Sequence, residues 1–261
     1  MGDWNSEQYM KFKRERTQPS VDLINRIGGD FNPKTVLDLG CGPGNSTFAL
    51  YNKFENAKIT GVDGSENMLE KARKSYDFLN FEKCFLPIGL NEIDGRFDLI
   101  FSNACIHWIP EQEELLNAVF EKLNNGGKFA VQIPFIQQAP FYKLLYAMIN
   151  EEKWQKLQLI NNFHNLMPEE YFDILASLNS DFEIWQTTYY HRVPDFNSIV
   201  EWYRGSGLRP YLEVLTNDEK QVFEKELLEK IKNNYPVQKN GEIILKMPRL
   251  FFILNKNGKN A

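Results

Sequence analysis

Asp38-Leu39-Gly40-Cys41-Gly42-Pro43-Gly44 follows directly on the apolar run Thr35-Val36-Leu37. An acid and then glycines at alternate positions make a surface on which a nucleotide-like ligand can lie, because glycine has no Cβ to hold it off and can turn sharply. A helix expected from about Ser46 to Phe54 would aim its free N–H groups at the same place. A second acid, Asp63, ends the strand-like run Lys58-Ile59-Thr60-Gly61-Val62, 23 residues after Gly40. A carboxylate at that spacing can accept both hydroxyls of a ribose. The turn reads G-x-G-x-G rather than the G-x-G-x-x-G of dinucleotide folds, which argues against a dehydrogenase.

Other polar groups gather later. Asn103, His107 and Trp108 follow the almost wholly apolar run 97–102, at the kind of strand end where open α/β sheets bind ligands. His107 either faces a substrate or is a loop histidine bonded to a carbonyl. Arg209 stands in the turn Gly205-Ser206-Gly207-Leu208-Arg209-Pro210, and Arg249 in a late strand. Each guanidinium could grip a carboxylate through a bidentate fork, with Arg249 equally suited to a strand-face ion pair. Tyr189, Tyr190 and His107 could add donors.

The elements that must carry these groups alternate between strand and helix. Strands are expected at 35–39, 58–63, 81–84, 97–102 and 128–133, then at 182–191 and 243–254, the last interrupted by Pro248. Ser65 reads as the N-cap of a helix over 66–74, with Met68 on its first turn facing either an adenine or the core. Leu115, Leu116, Val119, Phe120 and Leu123 mark a covering helix. Pro19 allows a break between two helical pieces near the start, Pro168 is expected to open a helix, and Thr216 with Glu219 to form a capping box. The regular alternation lapses over 135–180 and 195–235, where helical insertions are expected.

Composition narrows the class. A chain of 261 residues that is 43% hydrophobic and 14% aromatic can bury a large core. Its net charge of −5 disfavours nucleic acid as partner. No apolar run is long enough for a membrane span, and residues 1–11 lack the core of a signal peptide, so a cytoplasmic protein is expected. Cys41, Cys84 and Cys105 follow no C-x-x-C or disulfide pattern and read as reduced thiols. Scattered His107, His164 and His191 give a metal site little support.

The glycine turn resembles the first motif of class I S-adenosylmethionine-dependent methyltransferases. Asp3-Trp4-Asn5, Tyr9, Phe12, Glu15-Arg16, Asn45-Ser46-Thr47, Thr187-Thr188-Tyr189-Tyr190-His191, Gly207-Leu208-Arg209-Pro210 and Pro248-Arg249-Leu250-Phe251 are similar, across nearly the whole chain, to the trans-aconitate methyltransferase family. That resemblance implies an α/β fold: a Rossmann-like, doubly wound, seven-stranded, mostly parallel sheet with an antiparallel last strand and a helical lid. It implies one methyltransferase domain over 1–261, with a helical flap at 1–27 and lid insertions at 135–180 and 195–235. The cofactor would be S-adenosylmethionine, leaving as S-adenosylhomocysteine, held by Arg16, Asp38, Gly40, Gly42, Asp63, Gly64, Met68, Leu86 and Asn103. The chain has Cys84-Phe85 where the family has Ala-Asp, which leaves a backbone group near Leu86 to read the adenine. The substrate would be a small carboxylic acid, trans-aconitate first, bound by Trp4, Tyr9, His107, Trp108, Tyr189, Tyr190, Arg209 and Arg249. His107, Tyr190 and Arg209 would position it without a catalytic base. Two alternatives stand beside this reading: methyl transfer to another small acid, amine or hydroxyl, and a cofactor-binding regulator without catalysis. The sequence leaves the oligomeric state open.

Overall fold

The computed structural model describes residues 13–160, 163–178 and 180–257. Its strands are β1 Thr35–Leu39, β2 Lys58–Asp63, β3 Asn80–Lys83, β4 Phe97–Asn103, β5 Leu123–Pro134, β6 Ser180–Val193 and β7 Ile243–Lys256. Its helices are α1 Lys13–Arg26, α2 Asn45–Lys53, α3 Glu66–Ser75, α4 Gln112–Lys122, α5 Pro140–Ile149, α6 Pro168–Ser177, α7 Phe196–Arg204, α8 Arg209–Glu213 and α9 Asn217–Asn234. The chain sorts into two compact units. One comprises Lys13–Pro134, Phe163–Thr187 and the segment from Arg249 on; the other includes Phe135–Asn162 and Thr188–Pro248.

The strands run in the order β3-β2-β1-β4-β5-β7-β6. Neighbours from β3 to β5 are parallel, and β7 runs antiparallel to β5 from Lys128↔Asn255 to Pro134↔Arg249. This is the expected seven-stranded sheet. In the first unit β1 and β4 lie at its middle and are buried along nearly their whole length, as strands covered on both faces must be. The order reverses between β1 and β4, so the crevice that such a reversal opens lies at their C-terminal ends, beside Gly40 and Asn103. Ser65 caps α3 as expected, its Oγ accepting from Met68 N at 3.2 Å.

Two details differ from expectation. Pro19 does not break the opening helix: α1 runs through it. The face formed by Pro19, Ser20, Leu23, Ile24 and Ile27 is buried, and that burial outweighs the ~3 kcal/mol that an interior proline costs. Strand β5 starts at Leu123, five residues early, with a register shift against β4 between Phe97 and Leu99. Gly127 permits this bulge, since a Cβ there would stand 2.9 Å from Asn124 O and 3.0 Å from Phe97 O. No helix among the described residues is long and apolar enough to cross a membrane.

The second unit is mostly helical. Phe141 of α5 stacks on Tyr203 of α7 with centroids 3.5 Å apart. Gly207 leaves room for the Tyr142 hydroxyl, which would lie 2.1 Å from a Cβ at that position. Trp154 Nε1 donates to Glu226 Oε2 at 2.9 Å, and the Thr216–Glu219 capping box opens α9. Of the stretch expected as the first insertion, the part from Phe163 to Leu178, including α6, belongs to the first unit.

Candidate functional site

After β1 the chain turns through Gly40, Gly42 and Gly44 at φ of +70°, +53° and +87°, values that L side chains rarely adopt. Gly40 and Cys41 both donate to Val62 O, at 2.8 and 3.0 Å. A Cβ on Gly40 would strike the Cys105 side chain at 2.3 Å, whereas above Gly42 there is open space. The turn thus seals on its inner side and opens at Gly42. Asp63, ending β2, accepts from Gly42 N at 2.9 Å through Oδ2 and from Ser65 N at 2.8 Å through Oδ1. Two backbone donors fix the plane of its carboxylate.

Asp38 is fully buried. Its Oδ2 accepts from Ser46 Oγ and Thr47 Oγ1, each at 2.7 Å, which ties the end of β1 to the start of α2. Its Oδ1 has no hydrogen-bond partner among the described residues. Burial raises its pKa to about 6, with the two hydroxyls pulling it back and the Asp63 charge adding to the rise. Met68 is buried on α3, Leu86 is half-buried, and Gly64 lies against the Phe85 ring, 3.1 Å from where a Cβ would stand. Phe85 itself is 63% exposed. Arg16 lies half-buried on α1.

A second group of polar residues lies at the ends of β4 and β5 and on the part of β7 opposite the end of β5. Asp38 pairs with Phe101, Asn103 with Gln132, Gln132 with Phe251 and Pro134 with Arg249. Since alternate residues of a strand share a face, Asp38, Asn103, Gln132 and Arg249 form one row across four strands. Asn103 Oδ1 and Gln132 Nε2 are buried with no hydrogen-bond partner among the described residues. Ala104 follows with φ of +53°, strained for a residue with a Cβ, and its N–H is taken by Gln132 O at 2.8 Å.

His107 sits in the short 3-10 turn Ile106–Trp108 and is 3% exposed. It stacks on Phe163 with centroids 5.7 Å apart and lies 5.0 Å from the Trp108 ring. Its Nδ1 is buried and without a hydrogen-bond partner among the described residues. Burial, then the charge of Arg249 and then that of His164, lower its pKa to about 3, so it is neutral in the physiological range. The turn is clamped from below. Gln112 Nε2 donates to Ile106 O at 2.6 Å and to Ile109 O at 2.5 Å, and its Oε1 accepts from Tyr171 OH at 2.9 Å. From above, His164 N donates to His107 O at 2.8 Å and Asn165 Nδ2 to Pro134 O at 2.7 Å.

The remaining expected site residues belong to the second unit or lie outside the described residues. Tyr189 stacks on His191 at 6.1 Å, which stacks on Trp202 at 5.1 Å. Tyr190 is exposed, with Lys246 Nζ 6.0 Å from its centroid. Successive residues of a strand point to opposite faces, so β6 can offer only one of the two tyrosines to any one site. Arg209 opens α8 and donates from Nε to Glu213 Oε1 at 2.9 Å. Trp4 and Tyr9 lie outside the described residues, as does the start of the 1–27 flap, residues 1–12. The three thiols are free. Burial raises all three, Cys84 to about 11, and keeps them protonated.

Sequence reasoning missed Gln132, Gln112, Tyr171 and Phe163. Gln132 had a signal, as the single polar residue in the buried run Phe129-Ala130-Val131-Gln132-Ile133. The others are brought in by packing, Tyr171 to Gln112 across 59 residues.

Residues 31–201 match the family model described as a methyltransferase domain. The chain is similar over 98% of its length to trans-aconitate 2-methyltransferase of Escherichia coli O139:H28, at 36% identity over 258 residues and 99% of that protein. The enzyme of the same name from Shigella flexneri matches at 36% over the same shares. Among solved structures, the YcgJ protein of Bacillus subtilis aligns with a TM-score of 0.60 at 16% identity, covering 92% of this chain and 98% of that one. Haemonchus contortus phosphoethanolamine N-methyltransferase 2, in complex with S-adenosyl-L-methionine, aligns at 0.59 and 16% identity, covering 97% of this chain and 56% of that one.

Proposed function

We propose, for a chain that belongs to the S-adenosylmethionine-dependent methyltransferases, that it esterifies one carboxylate of a small polycarboxylic acid, with trans-aconitate the first candidate. Its cofactor is S-adenosylmethionine, and the turn fits it: the open space above Gly42 at positive φ would take a ligand that a Cβ would exclude. Asp63, its plane set by Gly42 and Ser65, would accept the ribose hydroxyls. Gly40 and Gly64 keep the backbone low, and Asn103 Oδ1 would accept from the amino end. Asp38 acts by holding α2 in place. Met68, Leu86 and Arg16 complete the proposed cofactor contacts, with Phe85 supplying an apolar wall where the family has an acid. The bound cofactor supplies an electrophilic methyl group on a sulfonium.

The observation that carries the acid substrate is the state of His107. It is buried, and that burial, with the charge of Arg249, keeps it neutral and unable to take up a proton near neutral pH. An amine or hydroxyl acceptor must lose a proton to someone, whereas a carboxylate is ionised before it arrives. What remains for the protein is to desolvate the attacking oxygen and align it. Arg249, His107, Trp108 and one tyrosine of β6 would do so, together with Arg209, Trp4 and Tyr9. Such an enzyme works in the cytoplasm on free metabolites.

The test is transfer of labelled methyl from the cofactor to panels of di- and tricarboxylates, amines and alcohols. Base-labile label on the acids alone is the expected result. Label on an amine would replace the reading with the second methyltransferase class, and tight cofactor binding without transfer to any panel would replace it with a regulator.

A further inference from the structure

We infer that Gln132, with Arg249, forms a carboxylate-reading subsite in which the amide Nε2 of Gln132 selects the acid; this rests on the acid-substrate reading above. Gln132 is 1% exposed, near the C-terminal end of a strand in which its neighbours Ala130, Val131 and Ile133 are all buried and apolar. Its Nε2 has no hydrogen-bond partner among the described residues. A leucine would fill that position without burying an unpaired donor, so the strand itself gains nothing from the amide.

The neighbours say what the amide is for. Pro134↔Arg249 and Gln132↔Phe251 put Gln132 and Arg249 on one face of adjacent antiparallel strands, two residues out of step. With strands ~4.8 Å apart and ~3.4 Å per residue, their Cα atoms stand roughly 8 Å apart, a gap that two long side chains can close on one small group. A guanidinium and an amide N–H on one face of adjacent strands offer hydrogen-bond donors and a positive charge to the same small group. Such a pocket suits a monoanionic carboxylate and repels a cation.

The experiment uses the full chain saturated with S-adenosylhomocysteine, and propane-1,2,3-tricarboxylate and trans-aconitate as probes in calorimetry. Gln132→Leu is expected to weaken both acids roughly tenfold to a hundredfold, the size of a lost hydrogen bond to a charged group. It should leave the affinity for S-adenosylhomocysteine within about twofold and the melting temperature of the ligand-free protein no lower than wild type. Gln132→Glu should abolish acid binding by repulsion. If the leucine variant binds acids as wild type does, or melts lower, or loses cofactor affinity by the same factor, the subsite is wrong, and Gln132 is idle, structural or a cofactor residue respectively. If wild type binds the acids through Gln132 but transfers no methyl, the substrate reading falls and the subsite stands. If wild type esterifies acids and Gln132→Leu does so equally well, the subsite falls and the substrate reading stands. Failure of wild type to bind either acid overturns both.

Discussion

The two ends of the switch point are built in opposite ways. At the β1 and β2 end, the acids are already engaged: Asp63 by two backbone N–H groups, and Asp38 by two hydroxyls from the first turn of α2. At the β4, β5 and β7 end, Asn103, Gln132 and His107 each bury a polar atom without a hydrogen-bond partner among the described residues. A site whose ligand always has the same shape can be pre-formed by acids that the fold anchors, even where one oxygen, Asp38 Oδ1, has no partner among the described residues. One that must tell acceptors apart keeps polar atoms for the ligand, because an unpaired buried polar group is what makes a wrong ligand costly.

The sharpest way to break that contrast is Asp63→Ala. Removing a fixed carboxylate that makes charge-assisted bonds to two hydroxyls should weaken S-adenosylhomocysteine by about 3 kcal/mol or more, above a hundredfold. Calorimetry that shows unchanged affinity would take Asp63 out of the site. Asp38→Asn tests the same end through stability. The folded pKa of Asp38 is raised to about 6 from 3.8, so the folded state holds this proton more tightly than the unfolded chain. Its contribution is full below pH 4 and lost as the pH rises through 6, a fall of about 3 kcal/mol. Urea unfolding across that range should show the fall in wild type, and the asparagine variant should lack it. A parallel pH dependence in both proteins would contradict the assignment.

At the other end, Arg249→Lys should cost an acid roughly tenfold to a hundredfold in affinity, because an ammonium keeps the charge and loses the planar fork. Cofactor binding should stay within about twofold. Arg209→Lys should follow the same pattern more weakly, as one edge of that guanidinium already serves Glu213. If either lysine variant weakens acid and cofactor equally, that arginine is structural.

The same contrast decides what could be read from the sequence. The β1–β2 end is made of residues close together in the chain: a glycine turn, the acid before it, and a second acid one βαβ unit on, each with a backbone reason visible in its residue type. Ser65 as a cap and Thr216–Glu219 as a box were legible for the same reason. The other end draws Asn103, Gln132, Phe163 and Arg249 from four separate stretches of chain. Only strand register, which no local pattern fixes, puts Gln132 beside Arg249. Pro19 shows the limit from the other side, because a strong local breaker yielded to the burial of the face around it.

His107→Gln carries the smallest expected effect and tests the mechanism most directly. The imidazole titrates at about 3 instead of 6.5, so its stability contribution is present above pH 6.5 and lost as the pH falls toward 3. At pH 5 wild type should have lost about 2 kcal/mol that the glutamine variant keeps. In activity the variant should stay within about tenfold of wild type in single-turnover rate, because glutamine still donates a hydrogen bond from the same place while being unable to take a proton. A general base contributes roughly 10²–10⁴-fold, so a base at this position cannot hide in so small a change. The pH–rate profile adds a second reading: a base with a pKa near 6.5 would give a limb in wild type that vanishes in the variant, whereas a neutral donor gives the same flat profile in both. A loss of three orders of magnitude, with cofactor affinity and melting intact and such a limb gone, would make His107 a base and turn the substrate class toward amines or hydroxyls.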